Sequence, residues 1–351
     1  MSVIDSEPIY RQLPSPVLPA TDLGRGLSYD GLVPAAAIHK SDTAEVLLAD
    51  AGRLGKDRFA VAVRWPCDHR LYRPGAGRTG DSTFLLETVR QAAIYLCHRF
   101  YDVPLTGRSF VMTGIEVDID APGLPYDPVH ALPVLLEAVC TRTTTAPRRF
   151  GMAMEVTLYI RGVRRGRARV VWEVMDEHRY ALVRSRNRPK PVAGAPLAPP
   201  AGRRDLLPPA VVGRERAQDV LLAADPQGVR NRWQLVLDCT HPVYFDHGSD
   251  HVPGMVLLEA VRQAAYASSV QAGPRCAVQE LWTPLSLAAS FERFGEPDAP
   301  VLIAVAASEQ NGVFGHFDFQ LTATQHGQTL LRARLGGARP ADWEWAGEES
   351  A

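Results

Sequence analysis

Lysine is nearly missing: Lys40, Lys56 and Lys190 are the only lysines among 38 basic residues in a chain of 351. Cysteine is sparse as well. Cys67, Cys97, Cys140, Cys239 and Cys276 are scattered, odd in number and free of any CxxC pair, which excludes a dense disulfide framework and argues against structural zinc. Neither sign of charge is in excess. With 38 basic against 39 acidic residues, the chain lacks the basic surplus of a general nucleic-acid or membrane-surface binder. No stretch approaches the ~18 uninterrupted apolar residues of a bilayer-spanning helix. The first 25 residues show no basic segment followed by an apolar run, so no signal peptide is expected and the expected compartment is the cytoplasm. No glycine-rich nucleotide loop or redox motif is present, and no cofactor is expected. What the chain does have is 46% hydrophobic residues, enough to bury a core in two domains of ordinary size or one large one.

The sequence is written twice. Residues 84 to 93 read FLLETVRQAA and residues 256 to 265 read VLLEAVRQAA, identical at eight of ten positions and offset by 172. The same offset superposes Cys67 on Cys239, His69 on His241 and Tyr72 on Tyr244. Further upstream, AEVLLAD (44–50) matches QDVLLAA (218–224) at an offset of 174. Three blocks in the same order imply duplication, and internal repeats set architecture before any motif does.

Each copy follows one plan. A strand-like run (Arg58–Trp65; Trp233–Cys239) precedes a loop rich in Gly, Pro and His. The duplicated block then reads as a helix, with Leu85, Leu86, Val89, Ala92, Ala93 and Leu96 at helical spacing. Alternating β-branched and aromatic segments follow: Ser109–Asp120, Met152–Ile160, Gly166–Met175 and Tyr180–Ser185 in the first copy. The expected counterparts are Ala277–Phe291, Val301–Ala307, Phe314–Thr324 and Thr329–Leu335. One long helix against four or five antiparallel strands per copy is an α+β plan. The expected divisions are an N-terminal extension over 1–35, a first unit over 36–185, a proline-rich linker over 186–209, a second unit over 210–340 and an acidic tail over 341–351.

Both helices carry the same polar trio. Glu87, Arg90 and Gln91, and again Glu259, Arg262 and Gln263, stand at i, i+3 and i+4, which share one helical face. Such a pair is usually a surface ion pair. Here apolar residues flank it on nearly every side, and a desolvated carboxylate beside a guanidinium is the setting of a functional group. Before the second helix runs HPVYFDHGSDHVPG (241–254). Its Pro253 suits a first helical turn, and the N–H groups of Gly254 and Met255 beyond it suit an oxyanion or a phosphate. His241, His247, Asp250 and His251 are candidate binding residues. His247 and His251, flanked by Asp246 and Asp250, are spaced as in a metal cluster, but the segment is loop-like and nothing completes the shell. No metal is expected, and histidines bonded to loop carbonyls remain an alternative. Cys67 and Cys239 read as packing residues at strand ends. Arg142 to Lys190 holds 13 basic residues against four acidic ones. Those arginines either blunt a sheet edge or form a docking patch for an acidic or phosphorylated partner.

The duplicated helix block, the linker and the run FDHGSDHVPGMVLLEAVRQAA (245–265) resemble the A-factor biosynthesis hotdog-domain family, the AfsA-like γ-butyrolactone synthases, from about residue 36 to 336. DHVPGMVLLEA is also distantly similar to hotdog dehydratases. The resemblance implies a tandem hotdog, in which a long central helix is wrapped by an antiparallel sheet and two such units pair as a pseudo-dimer within one chain. It implies acyl transfer from a β-ketoacyl acyl-carrier-protein thioester to dihydroxyacetone phosphate, then intramolecular condensation to a butenolide phosphate. The family's functional positions fall on Glu87, Glu259 and Arg262, with Arg90 as the repeat counterpart. The first copy departs from the pattern, since Asp81-Ser82 stand where the second has Pro253-Gly254. Dehydration or hydrolysis of acyl thioesters, and a non-enzymatic acyl- or lactone-binding module, are the competing readings.

Overall fold

The computed structural model describes residues 20–72, 80–120, 123–146, 149–188, 205–272, 282–311 and 316–338. The acidic tail, most of the linker, Cys276 and the first 19 residues of the expected extension lie outside them.

Twelve antiparallel strands form one sheet. The first six are β1 (Leu48–Gly55), β2 (Arg58–Trp65), β3 (Arg108–Ile119), β4 (Leu132–Ala146), β5 (Arg149–Ile160) and β6 (Val163–Asp176). The second six are β7 (Leu222–Ala224), β8 (Arg232–Leu235), β9 (Thr283–Phe291), β10 (Leu302–Asn311), β11 (His316–Gln325) and β12 (Gln328–Ala338). Their order is β1-β2-β4-β5-β6-β3-β9-β12-β11-β10-β8-β7, a palindrome about the β3–β9 seam. At that seam Glu116 faces Ala288, with Gly114 opposite Ser290 and Asp118 opposite Ser286. Among the described residues the α-helices are α1 (Ala20–Leu23), α2 (Thr83–Phe100), α3 (Glu177–Arg186) and α4 (Gly254–Ala272). The concave side of each half wraps α2 or α4, so the tandem hotdog expected from the sequence is the architecture observed.

The periodicity that marks α2 is the periodicity of its burial. Leu85, Leu86, Val89, Ala92, Ala93 and Leu96 are all buried, and His98 and Arg99 close its last turn, where positive charge suits the helix dipole. A single apolar cluster runs through both units and takes in residues of both helices.

Several expectations need correcting. Among the described residues each unit has six strands, not four or five. Tyr180–Ser185 lies in helix α3 rather than a strand, because the Asp176 carboxylate accepts the Arg179 N–H at 2.8 Å and caps it. β4 was not foreseen, because Leu135 is buried against Leu23 of α1 on the outer face of the sheet while Val134 and Leu136 face the core. An apolar run on both faces hides the period-two signal. Missing β4 displaced the counterparts by one: the sheet order matches β4 with β10, β5 with β11 and β6 with β12. In the second copy the Trp233–Cys239 run gives only the four-residue β8. β6 is an interior strand between β5 and β3, so its arginines do not blunt an edge. Arg167 instead pairs with Asp118 at 2.9 Å and Arg164 with Asp120 at 3.0 Å. Cys239 is exposed and Cys67 only half-buried, whereas Cys97 and Cys140 are the buried pair; all four are unbridged.

Candidate functional site

The helical trio closes on itself in both units. Arg90 grips Glu87 with Nε 2.9 Å from Oε2 and Nη2 2.8 Å from Oε1. Gln91 donates to Glu87 at 2.8 Å and to the Glu45 carbonyl at 2.7 Å, and it accepts the Leu47 N–H at 2.9 Å. Lys40 adds a second cation: its Nζ is 3.3 Å from Glu87 and 3.8 Å from Asp246 of the other unit. Asp246 also accepts the Ser41 N–H at 2.8 Å and faces His247 Nδ1 at 2.6 Å.

The second cluster is built the same way. Arg262 meets both oxygens of Glu259 at 2.8 Å, and Arg214 meets them at 2.9 and 2.7 Å. Gln263 donates to Glu259 at 2.7 Å and to the Asp219 carbonyl at 2.9 Å. Arg214 reaches into the first unit, donating to Asp81 at 2.9 Å and to the Leu71 carbonyl at 3.0 Å. Each unit thus supplies a basic residue that binds its own glutamate and an aspartate of its neighbour. Sequence reasoning missed Lys40 and Arg214, although they stand at the offset of 174 already visible in the AEVLLAD block.

Burial alone would push both glutamates up, but the paired cations win. Arg90 and Lys40 hold the Glu87 carboxyl far below the usual carboxylate range, and Arg214 and Arg262 bring Glu259 down to about 2. Asp246 is likewise lowered, by its bonds to His247, Lys40 and Ser41 against the cost of burial.

A cavity of about 830 Å3 runs along the seam, within the range of small-molecule sites. Lys40, Glu87 and Arg90 line it from the first unit, and His247, Gly254 and Glu259 from the second. His251 and Met255 also reach it, whereas Gln91, Arg262, Gln263, His241 and Asp250 stand off its wall. The two glutamines are spent on backbone groups and on their glutamates. His241 is buried, its Nδ1 accepting the Val243 and Tyr244 N–H groups at 3.2 Å, and it stacks on Tyr244. His69 repeats that arrangement at 3.1 Å with Leu71 and Tyr72. Asp250 is exposed and pairs with His251 at 2.7 Å. Among the described residues, no group of three or more His, Cys, Asp and Glu side chains is placed to hold a metal ion.

The two helix mouths differ. Asp81 stands at the mouth of α2, its carboxylate accepting the Thr83 N–H at 2.9 Å, so the first unit's mouth already holds an acidic side chain. In the second unit Pro253 precedes the helix, and its carbonyl accepts from Val256 and Leu257. The N–H groups of Gly254 and Met255 come before those bonds and have no intrahelical partner. A Cβ at Gly254 would stand 3.2 Å from the Phe291 ring. Glycine is what lets this mouth approach the wall opposite.

The A-factor biosynthesis hotdog domain matches residues 29–176 and again 198–337. The chain is 32% identical to a 2-oxo-3-(phosphooxy)propyl 3-oxoalkanoate synthase of Streptomyces virginiae, over 88% of this chain and 98% of that one. It is 30% identical to a protein of the same description from Streptomyces griseus, over 86% and 94%. Among solved structures, a 12:0-ACP thioesterase from Umbellularia californica aligns with a TM-score of 0.45 at 12% identity, over 81% of this chain and 98% of that one. Matched by the family's domain in both halves, and by two synthases over most of its length, the chain belongs to the A-factor biosynthesis hotdog-domain family.

Proposed function

We propose that the protein is an acyltransferase that moves a 3-oxoacyl group from an acyl-carrier-protein thioester to the hydroxyl of dihydroxyacetone phosphate. The product is a 2-oxo-3-(phosphooxy)propyl 3-oxoalkanoate, which closes by intramolecular condensation to a butenolide phosphate, a precursor of γ-butyrolactone or furan-type signals. The observation that carries this reading is the cavity itself, which holds Lys40 and Arg90 on one wall and the α4 mouth at Gly254 and Met255 on another. A phosphate needs cations, and a thioester oxygen that becomes negative needs N–H donors.

In this reading Lys40, Arg90 and Arg108 receive the phosphate. Arg108 lines the same cavity and has no ion-pair partner among the described residues. Glu87 keeps Lys40 and Arg90 in place; a carboxylate so strongly stabilised in its charged form is a weak proton acceptor. Arg262, set back from the cavity, orients Glu259, and Arg214 joins that pair to Asp81. Units 36–185 and 210–340 act as the two halves of the pseudo-dimer. In this reading the reaction takes place in the cytoplasm.

The test mixes the full-length protein with a 3-oxoacyl thioester and dihydroxyacetone phosphate and follows products by mass spectrometry. The expected product is the phosphorylated ester and its cyclised form; free 3-oxo acid, unaffected by the triose phosphate, would make the protein a thioesterase. Lys40→Met should raise KM for the triose phosphate about tenfold to a hundredfold, the worth of one hydrogen bond to a charged group.

A further inference from the structure

We propose that His39 is the proton acceptor of the acyl transfer, with its reactive nitrogen selected by His98. This rests on the acyltransfer reading above. His39 lines the cavity beside Lys40. Its Nε2 lies 3.1 Å from Nε2 of His98, and Nδ1 of His98 lies 2.8 Å from the Val103 carbonyl oxygen. A carbonyl can only accept, so Nδ1 of His98 carries a proton. The groups that face the pair are Phe110 of β3, Arg90 of α2 and His247 of the α4 approach. In the proposed arrangement Nε2 of His98 accepts and His39 donates to it from its own Nε2. The nitrogen of His39 left with a lone pair is Nδ1. A base oriented by a second residue, itself fixed by a third group, is the arrangement that general-base catalysis uses.

The duplication supplies an internal control. His39 ends the short 3-10 turn Ala35–Ile38 with a left-handed backbone at φ 55. At the offset of 174 its counterpart is Gly213, which ends the turn Pro209–Val212 at φ 66. Glycine adopts that conformation without penalty, whereas a side chain there is strained. The first unit carries an imidazole where the second has the glycine that this backbone geometry favours. Its partner is missing from the second unit as well: at the offset of 172, His98 corresponds to Val270. Glu, Arg, Gln and the buried histidine all recur in both units, while the His39–His98 pair occurs once.

In the step itself, the triose hydroxyl oxygen attacks the thioester carbonyl carbon and its proton passes to Nδ1 of His39. The carbon–sulfur bond breaks, and the proton then moves from His39 to the departing sulfur, so ester and free thiol form with no other reactant. Burial, His98, Arg90 and His247 lower the pKa of His39 to about 4, which keeps it neutral in the resting protein. A phosphate dianion bound at Lys40 and Arg90 raises it toward working pH, where a base is most effective.

The experiment compares wild-type protein with His39→Gln, His98→Leu and His98→Gln. His39→Gln should lower kcat by about 10²- to 10⁴-fold with an unchanged KM for the triose phosphate, and should remove the fall of kcat at acid pH. His98→Leu should lower kcat as well. His98→Gln should restore most of it, since an amide can donate to the Val103 carbonyl and accept from His39. Independently of turnover, 15N spectra of histidine-labelled wild-type protein should show His39 protonated at Nε2 only. Full kcat in His39→Gln, an effect confined to KM, or a proton on Nδ1 of resting His39 would overturn the assignment. A wild-type protein that forms no ester would instead refute the acyltransfer reading, and the spectrum would still judge the tautomer.

Discussion

At the scale of single residues, Glu259 is held by two guanidiniums, and Arg214 bridges it to Asp81 with little exposure of any of the three. Removing one partner from such a group leaves a buried charge uncompensated, which costs far more than a surface pair is worth. Arg214→Met should therefore destabilise the protein by about 3–5 kcal/mol in urea unfolding; a loss within the range of exposed pairs would show that solvent reaches the cluster. The pH dependence follows in sign. The Glu259 pKa falls from 4.5 to about 2 on folding. A depressed carboxylate contributes stability that is fully present above the unfolded value and is lost as pH falls through the folded one. Glu259→Gln should flatten the stability curve between those two values. The trio on each helix was legible because i, i+3 and i+4 are fixed by helical geometry. The pairings of Lys40 with Asp246 and of Arg214 with Asp81 were not, because they join turns and loops of different units.

At the scale of elements, α3 shows where local pattern misleads. Its run Tyr180–Ser185 alternates like a strand, yet none of its residues is buried, so no sheet face selects that period. The Asp176 cap and hydrogen bonds to the second unit decide its structure. Tyr180 donates to Asp250 at 2.8 Å, while Arg184 donates to the Asp250 carbonyl at 2.7 Å and to Glu296 at 3.0 Å. Tyr180, Val183 and Arg186 line the cavity, so α3 is a polar strap over it. An element without a buried face opens at low free-energy cost. Arg184→Met should speed hydrogen exchange of the α3 amides by about tenfold or more, the equivalent of one charge-assisted bond. Exchange in β4 to β6 should stay unchanged. Equal acceleration in those strands would mean that α3 is part of the global folding unit instead.

At the scale of the whole molecule, the repeat offset made the paired units readable, and the hydrophobic period of the two helix blocks made their wrapping by a sheet readable. The continuity of that sheet was not, because pairing of β3 with β9 depends on backbone edges that no side-chain pattern marks. Two units with separate cores would unfold in separate steps. Here one apolar cluster spans both units, five residue pairs join β3 to β9, and Arg214–Asp81 and Lys40–Asp246 tie each unit to the other. Opening one unit would expose the β3 or β9 edge of its neighbour and strand two buried charges. The full-length chain should therefore lose tryptophan fluorescence and far-ultraviolet circular dichroism along a single coincident curve in urea. Buried Trp65 and Trp172 report the first unit, and buried Trp233 and Trp282 the second. Two resolved midpoints would show that the seam is weaker than either unit. The cavity, whose walls come from both, would then open before either unit unfolded.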